Sequence, residues 1–182
     1  EVPNDIREDS LKNHVVFISQ KIDSEKHCGF VHPNYFNVNL QSFQESKTKN
    51  SCLNGKVSVD KNGLLKNCPA MADSFGHISD FSPINLLKSE KFTEKWELTK
   101  DKISVCQDCE FRYTCLDCRA FTDNEKDPYA RPLKCNYNPY ISKWKGESGY
   151  KTLSECGVTW NQLGYSVDHE KIANINKELW ED

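Results

Sequence analysis

The chain has 182 residues, of which 37% are hydrophobic and nine are cysteine; 24 basic and 27 acidic residues leave a formal charge of −3. No window approaches the roughly 18 apolar residues of a membrane span, no basic-then-apolar signal segment opens the chain, and the near-neutral balance argues against nucleic acid as the main partner. We therefore expect a cytoplasmic protein of one compact domain, or of a small domain with a satellite.

An ordinary soluble domain is roughly 45–50% apolar residues plus Gly. This chain falls short, so apolar burial alone is not expected to hold it together. The first residue is Glu1 rather than Met, and we expect a partial chain, with an upstream domain to be kept in view.

In chain order, polar residues 1–9 are expected to fray, and His14-Val15-Val16-Phe17-Ile18-Ser19-Gln20 is a short run of strand type. A turn at Asp23-Ser24 leads to His27-Cys28-Gly29-Phe30. Phe36 to Asn50 is polar, without a clear period, and reads as loop or irregular structure. Lys56-Val57-Ser58-Val59-Asp60 alternates polar and β-branched residues, Lys61-Asn62-Gly63 supplies a turn able to take positive φ, and Leu64-Leu65-Lys66-Asn67-Cys68 runs back. That is a β-hairpin with Cys52 and Cys68 near its open end. Ser82 caps a short helix that has Pro83 at its first position. Glu94 to Lys102 is charged and carries no clear assignment. Asp168 caps the best helix, along which Ile172, Ile175 and Leu179 share a face.

The cysteines say more than the average does. Four of the nine lie within thirteen residues, Cys106, Cys109, Cys115 and Cys118, spaced C-x2-C-x5-C-x2-C. Two residues between cysteines turn both thiolates toward one point and let backbone N–H groups face the sulfurs, which suits a metal or an iron–sulfur cluster. Zinc and iron–sulfur remain equally open on spacing. Eight ligands would make two four-thiolate sites and leave one cysteine over.

Taken together, C52-x10-G63-x4-C68, then C106-x2-C109-x5-C115-x2-C118, then C135 resembles the SPASM domain, the auxiliary-cluster module of radical S-adenosylmethionine peptide maturases. Asn67-Cys68-Pro69 and Lys134-Cys135-Asn136-Tyr137-Asn138-Pro139-Tyr140 look more narrowly like the SPASM proteins of grasp-with-spasm systems. The resemblance spans residues 52–135. It implies a small, loop-rich α+β, metal-stapled module with a β-hairpin and a C-terminal helix. The implied division is a lead-in segment with a short strand (1–50), a cluster-binding domain (51–140) and a C-terminal extension (141–182).

By the same resemblance two [4Fe–4S] clusters are implied, one on Cys52, Cys68 and Cys118, the other on Cys106, Cys109, Cys115 and Cys135. Cys28 is the candidate fourth ligand of the first, with an open position or His27 as rivals, and Cys156 reads as a buried free thiol. A precursor peptide and an ATP-grasp ligase are the implied partners in maturing a ribosomally made peptide. The family's run ordinarily ends in a three-residue gap, whereas Leu116-Asp117 makes two. No C-x3-C-x2-C loop is present, so the chain has no radical-initiating site of its own, and no catalytic residue is assigned.

Lys66, Arg112, Arg119 and Lys134 lie beside proposed ligands and either offset their charge or are simply solvated. Phe111, Tyr113, Phe121, Tyr137, Tyr140 and Trp144 either wall a cluster or pack a core. His32 and His77 read as ordinary surface or core residues. The alternatives to a cluster module are two structural Zn2+ sites that present a surface to a partner protein, and a disulfide-stapled extracellular protein.

Overall fold

The hairpin forms where alternation and turn chemistry coincide. Strand β1 (Ser58–Val59) pairs antiparallel with β2 (Leu65–Lys66), Val59 opposite Leu65. Asp60 Oδ1 accepts from the backbone N–H of Asn62 and of Leu64 at 2.9 and 3.0 Å, closing the turn. Gly63 carries φ +77, and a Cβ there would stand 2.3 Å from His77 Nε2. The His77 ring also lies 3.1 Å from Asn62 O, so it braces this turn rather than standing alone on the surface. Gly63→Ala is expected to lower stability by about 1–3 kcal/mol, read as a fall in the urea midpoint. An unchanged midpoint would show that His77 swings away freely.

The computed structural model of the protein describes residues 24, 27, 28, 31–161 and 164–180. The frayed lead over residues 1–9 and the strand expected over His14–Gln20 lie outside the described residues. Two further hairpins follow the first: β3 (Tyr137–Asn138) with β4 (Lys143–Trp144), and β5 (Val158–Asn161) with β6 (Gly164–Val167). With four helices among the described residues, they make a small mixed fold of the α+β class, with short strands and much irregular chain.

Helix α1 (Leu40–Thr48) corrects the loop expected over Phe36 to Asn50. Its cap is Asn39, whose Oδ1 accepts from Ser42 N at 2.8 Å. It buries only Ser46, so no apolar stripe marks it in the sequence. Phe43 on this helix meets the Tyr113 ring edge-on at 5.2 Å. Helix α2 (Pro83–Leu87) starts as expected, with Ser82 Oγ accepting from Asn85 N and Pro83 at the first position. Helix α3 (Glu90–Thr93) follows, and two 3-10 turns, Glu94–Glu97 and Lys100–Lys102, occupy the charged stretch that carried no clear assignment.

Helix α4 (His169–Trp180) is capped by Asp168, which accepts from Lys171 N at 2.9 Å. Ile172 and Ile175 bury against Ile141 and Cys156, with Leu179 packed alongside. Cys156 is 0% exposed, and its sulfur accepts from Asn138 Nδ2 at 3.3 Å. This apolar cluster belongs to the C-terminal part of the chain. Around the cysteines, burial is shared with polar and charged groups: Asn50, Asn67, Lys100 and Asp117 are all buried there. Among the described residues no helix is long and apolar enough to cross a membrane.

Candidate metal centres

The cysteine run enters on a bend. Val105, a buried β-branched residue, sits at φ 67 and ψ −43, and Cys106 N donates to Ser104 O at 2.7 Å across it. This is a positive-φ γ-turn, a rare and strained conformation. It feeds a 3-10 turn over Cys106–Asp108, which ends with Cys109 N donating to Cys106 O at 3.1 Å. Farther on, Cys115 N donates to Phe111 O at 2.9 Å, and Cys135 N to Pro132 O at 3.1 Å. Each cysteine is thus held by a tight local turn.

Those turns bring Cys106, Cys109, Cys115 and Cys135 around one small cavity of about 20 Å³. Phe36, Phe111, Tyr137 and Trp144 form its wall, with ring centroids 5.2 Å apart for Phe36 and Phe111, 5.1 Å for Phe111 and Tyr137, and 4.7 Å for Tyr137 and Trp144. Of the six aromatics singled out in the sequence, Phe111, Tyr137 and Trp144 line this cavity. Tyr113 instead packs on Phe43 and under Arg112, and Tyr140 donates its hydroxyl to Asp108 Oδ2 at 2.7 Å. Phe36 joins the wall without having been expected there.

Burial pushes the Cys106 and Cys109 thiols up to about 12, and raises Cys115 as well. The Phe111 backbone N–H works the other way on Cys109. Lys100 is the buried cation of this site: it is 5% exposed, and its Nζ donates to Cys115 Sγ at 3.2 Å. Burial disfavours its ammonium, but Cys106, Cys115 and Asp117 together hold its pKa above the ordinary lysine value.

The other set gathers at the hairpin's open end. Asn50 Oδ1 accepts from Cys52 N at 3.0 Å and from Leu53 N at 2.9 Å, shaping the turn that carries Cys52. Burial raises the Cys52 thiol; Lys56 opposes the rise, and Cys118 and Cys68 add to it. Burial raises Cys68 too; the Ala70 backbone N–H opposes this, while Cys28 and Cys118 reinforce it. Cys28 is held through its backbone. Its carbonyl accepts from Lys134 Nζ at 2.6 Å, and the rival His27 has its Nδ1 3.3 Å from Ser24 Oγ.

Asp117, in the two-residue gap between Cys115 and Cys118, ties the sets together. Its carboxylate lies 2.8 Å from Arg119 Nε and 2.8 Å from Asn50 Nδ2, and its backbone N–H donates to Ser51 Oγ at 3.2 Å. Arg119 thus serves this buried pair rather than a cluster. Lys66 is likewise spent elsewhere, on Asp60 at 3.2 Å and on the Met71 carbonyl, and Arg112 on Asp101 at 3.1 Å.

No disulfide joins any of the nine cysteines. Among the described residues no three His, Cys, Asp or Glu side chains stand in a metal-holding arrangement. The donor chemistry nevertheless fits a thiolate-bound group: four sulfurs, an ammonium, a guanidinium and aromatic rings line this small cavity, and no carboxylate does. Such soft donors suit zinc or iron–sulfur and not magnesium or calcium. Lys100, Asn50 and Asp117 escaped the sequence reading because each is one polar residue in a polar stretch; only the Asx pattern of Asn50 ahead of Cys52 offered a local signal. Comparison with protein-family models, with curated proteins and with solved structures finds no significant match.

Proposed function

We propose that the chain is a SPASM-type module holding two [4Fe–4S] clusters, one on Cys28, Cys52, Cys68 and Cys118, the other on Cys106, Cys109, Cys115 and Cys135. It serves the maturation of a ribosomally made peptide in the cytoplasm, alongside an ATP-grasp ligase, by engaging the precursor peptide or passing electrons. The observation that carries this reading is the sorting of the cysteines: Cys106, Cys109, Cys115 and Cys135 line one cavity, and Cys156 stays apart in an apolar cluster. When bound, a cluster supplies one-electron transfer. The residues around it do the rest: the aromatic wall keeps water from the sulfurs, and the buried cation offsets their charge.

Anaerobically prepared protein is expected to carry about eight iron and eight acid-labile sulfide per chain, the content of two [4Fe–4S] clusters. A chain that carries only zinc would sink the cluster assignment. One observation favours that second reading, two structural Zn2+ sites: a cavity of about 20 Å³ admits roughly one water-sized guest. Colour separates the two at once, since zinc–thiolate protein is colourless and iron–sulfur protein brown.

A further inference from the structure

Lys100 ends in a place where an ammonium is hard to keep. It sits in the 3-10 turn Lys100–Lys102, packed against the turn that carries Cys106, and is 5% exposed, whereas Lys102 two residues on is exposed. A charge removed from water needs a compensating charge close by. The nearby carboxylate, Asp117, is already 2.8 Å from Arg119. The other cation lining the cavity, Arg112, is likewise spent on Asp101. Among the described residues, the hydrogen-bond partner of Lys100 Nζ is the sulfur of Cys115. A neutral thiol is a weak acceptor and no counter-ion, but a ligand thiolate is both.

We infer that Lys100 is a positioning residue of the second centre, a buried counter-ion whose ammonium donates to the Cys115 sulfur and offsets the charge of four ligand thiolates. The inference rests on the metal-centre reading above. Four thiolates around one Zn2+ or one oxidised [4Fe–4S] core leave a net charge of about −2, so a buried lysine beside them lowers the cost of holding that charge. Net charge and hydrogen bonds to sulfur are also what set a cluster's reduction potential. Lys100 therefore favours the reduced state, which carries one more negative charge.

The test compares the full chain, reconstituted anaerobically with iron and sulfide, with Lys100→Met and Lys100→Gln. In Lys100→Met, one of the two centres is expected to become at least tenfold harder to reduce, which is 59 mV for one electron, while the other keeps its potential. Metal loss to a chelator is expected to speed up about tenfold from that same centre. Lys100→Gln keeps an N–H donor without the charge and falls between; it also keeps the test open if the Met variant fails to fold.

Wild-type protein that holds metal while both variants match it in potential and chelator loss overturns the role of Lys100 and leaves the centre standing. If the centre holds zinc, chelator loss carries the comparison with the same two outcomes. A Cys106→Ala chain that holds as much metal as the wild type overturns the centre, and the role of Lys100 with it.

Discussion

Asp117→Ala is expected to cost about 3–5 kcal/mol of folding stability, because it leaves a buried guanidinium without its carboxylate. The Arg119 side chain is 3% exposed and that of Asp117 1%. After the substitution Arg119 keeps the carbonyls of Ala130 and Pro128, at 2.7 and 3.3 Å, but no charge partner in that network. Asn50 Nδ2 loses its 2.8 Å acceptor as well and keeps only Leu98 O at 3.2 Å. The loss reaches beyond stability, since Asn50 shapes the Cys52 turn and Asp117 spaces Cys115 from Cys118. Both metal contents should fall together.

Urea unfolding of Asp117→Ala, of Arg119→Met and of the double variant checks the mechanism. Removing both partners is expected to recover much of the loss, because apolar replacement of a buried ion pair is often close to neutral. Additive losses in the double variant, or a cost under about 1 kcal/mol for Asp117→Ala, would show that the pair holds nothing together.

Stripping metal with a chelator is expected to loosen residues 52–135 and leave α4 docked. A structural thiolate site contributes roughly 10–16 kcal/mol, as much as the whole stability of a typical domain, about 5–15 kcal/mol. The α4 cluster of Ile141, Cys156, Ile172 and Ile175 contains no proposed ligand and keeps its own apolar burial. Hydrogen exchange should show fast amides through the cysteine segment and slow ones in α4. Equal protection with and without metal would remove the stapling role.

The pH dependence of the two forms runs in opposite directions. In the metal-free chain burial raises Cys106 and Cys109 from 9.0 to about 12. The fold then favours the neutral thiol. That preference is whole below pH 9 and is lost as pH rises through 12, so the metal-free protein weakens over that window. In the loaded chain the ligands are already deprotonated, and falling pH returns protons that compete with the metal. Urea midpoints of the stripped chain at pH 8 and pH 11, set beside metal retention at pH 7 and pH 5, separate the two.

How far the sequence spoke for itself depends on how far apart the interacting residues are. The Gly63 turn, the Ser82 and Asp168 caps and the apolar face of α4 were legible, because φ preferences and capping bonds are settled within three or four residues. The spacing of Cys106, Cys109, Cys115 and Cys118 carries the expectation of soft-donor chemistry for the same reason. Helix α1 was not legible: Asn39 caps it, but a helix that buries one serine has no apolar period to read, and its place is fixed by Phe43 against Tyr113.

The sequence by itself therefore determined the local turns, and its shortage of apolar residues foretold that apolar burial alone would not hold the fold. Tertiary structure decided which polar residues share the interior. Asn50 meets Asp117 across 67 positions, and Lys100 meets Cys115 across 15. A lysine or an aspartate in a polar stretch is marked only by the desolvation it suffers and the partner it finds once the chain has closed around it.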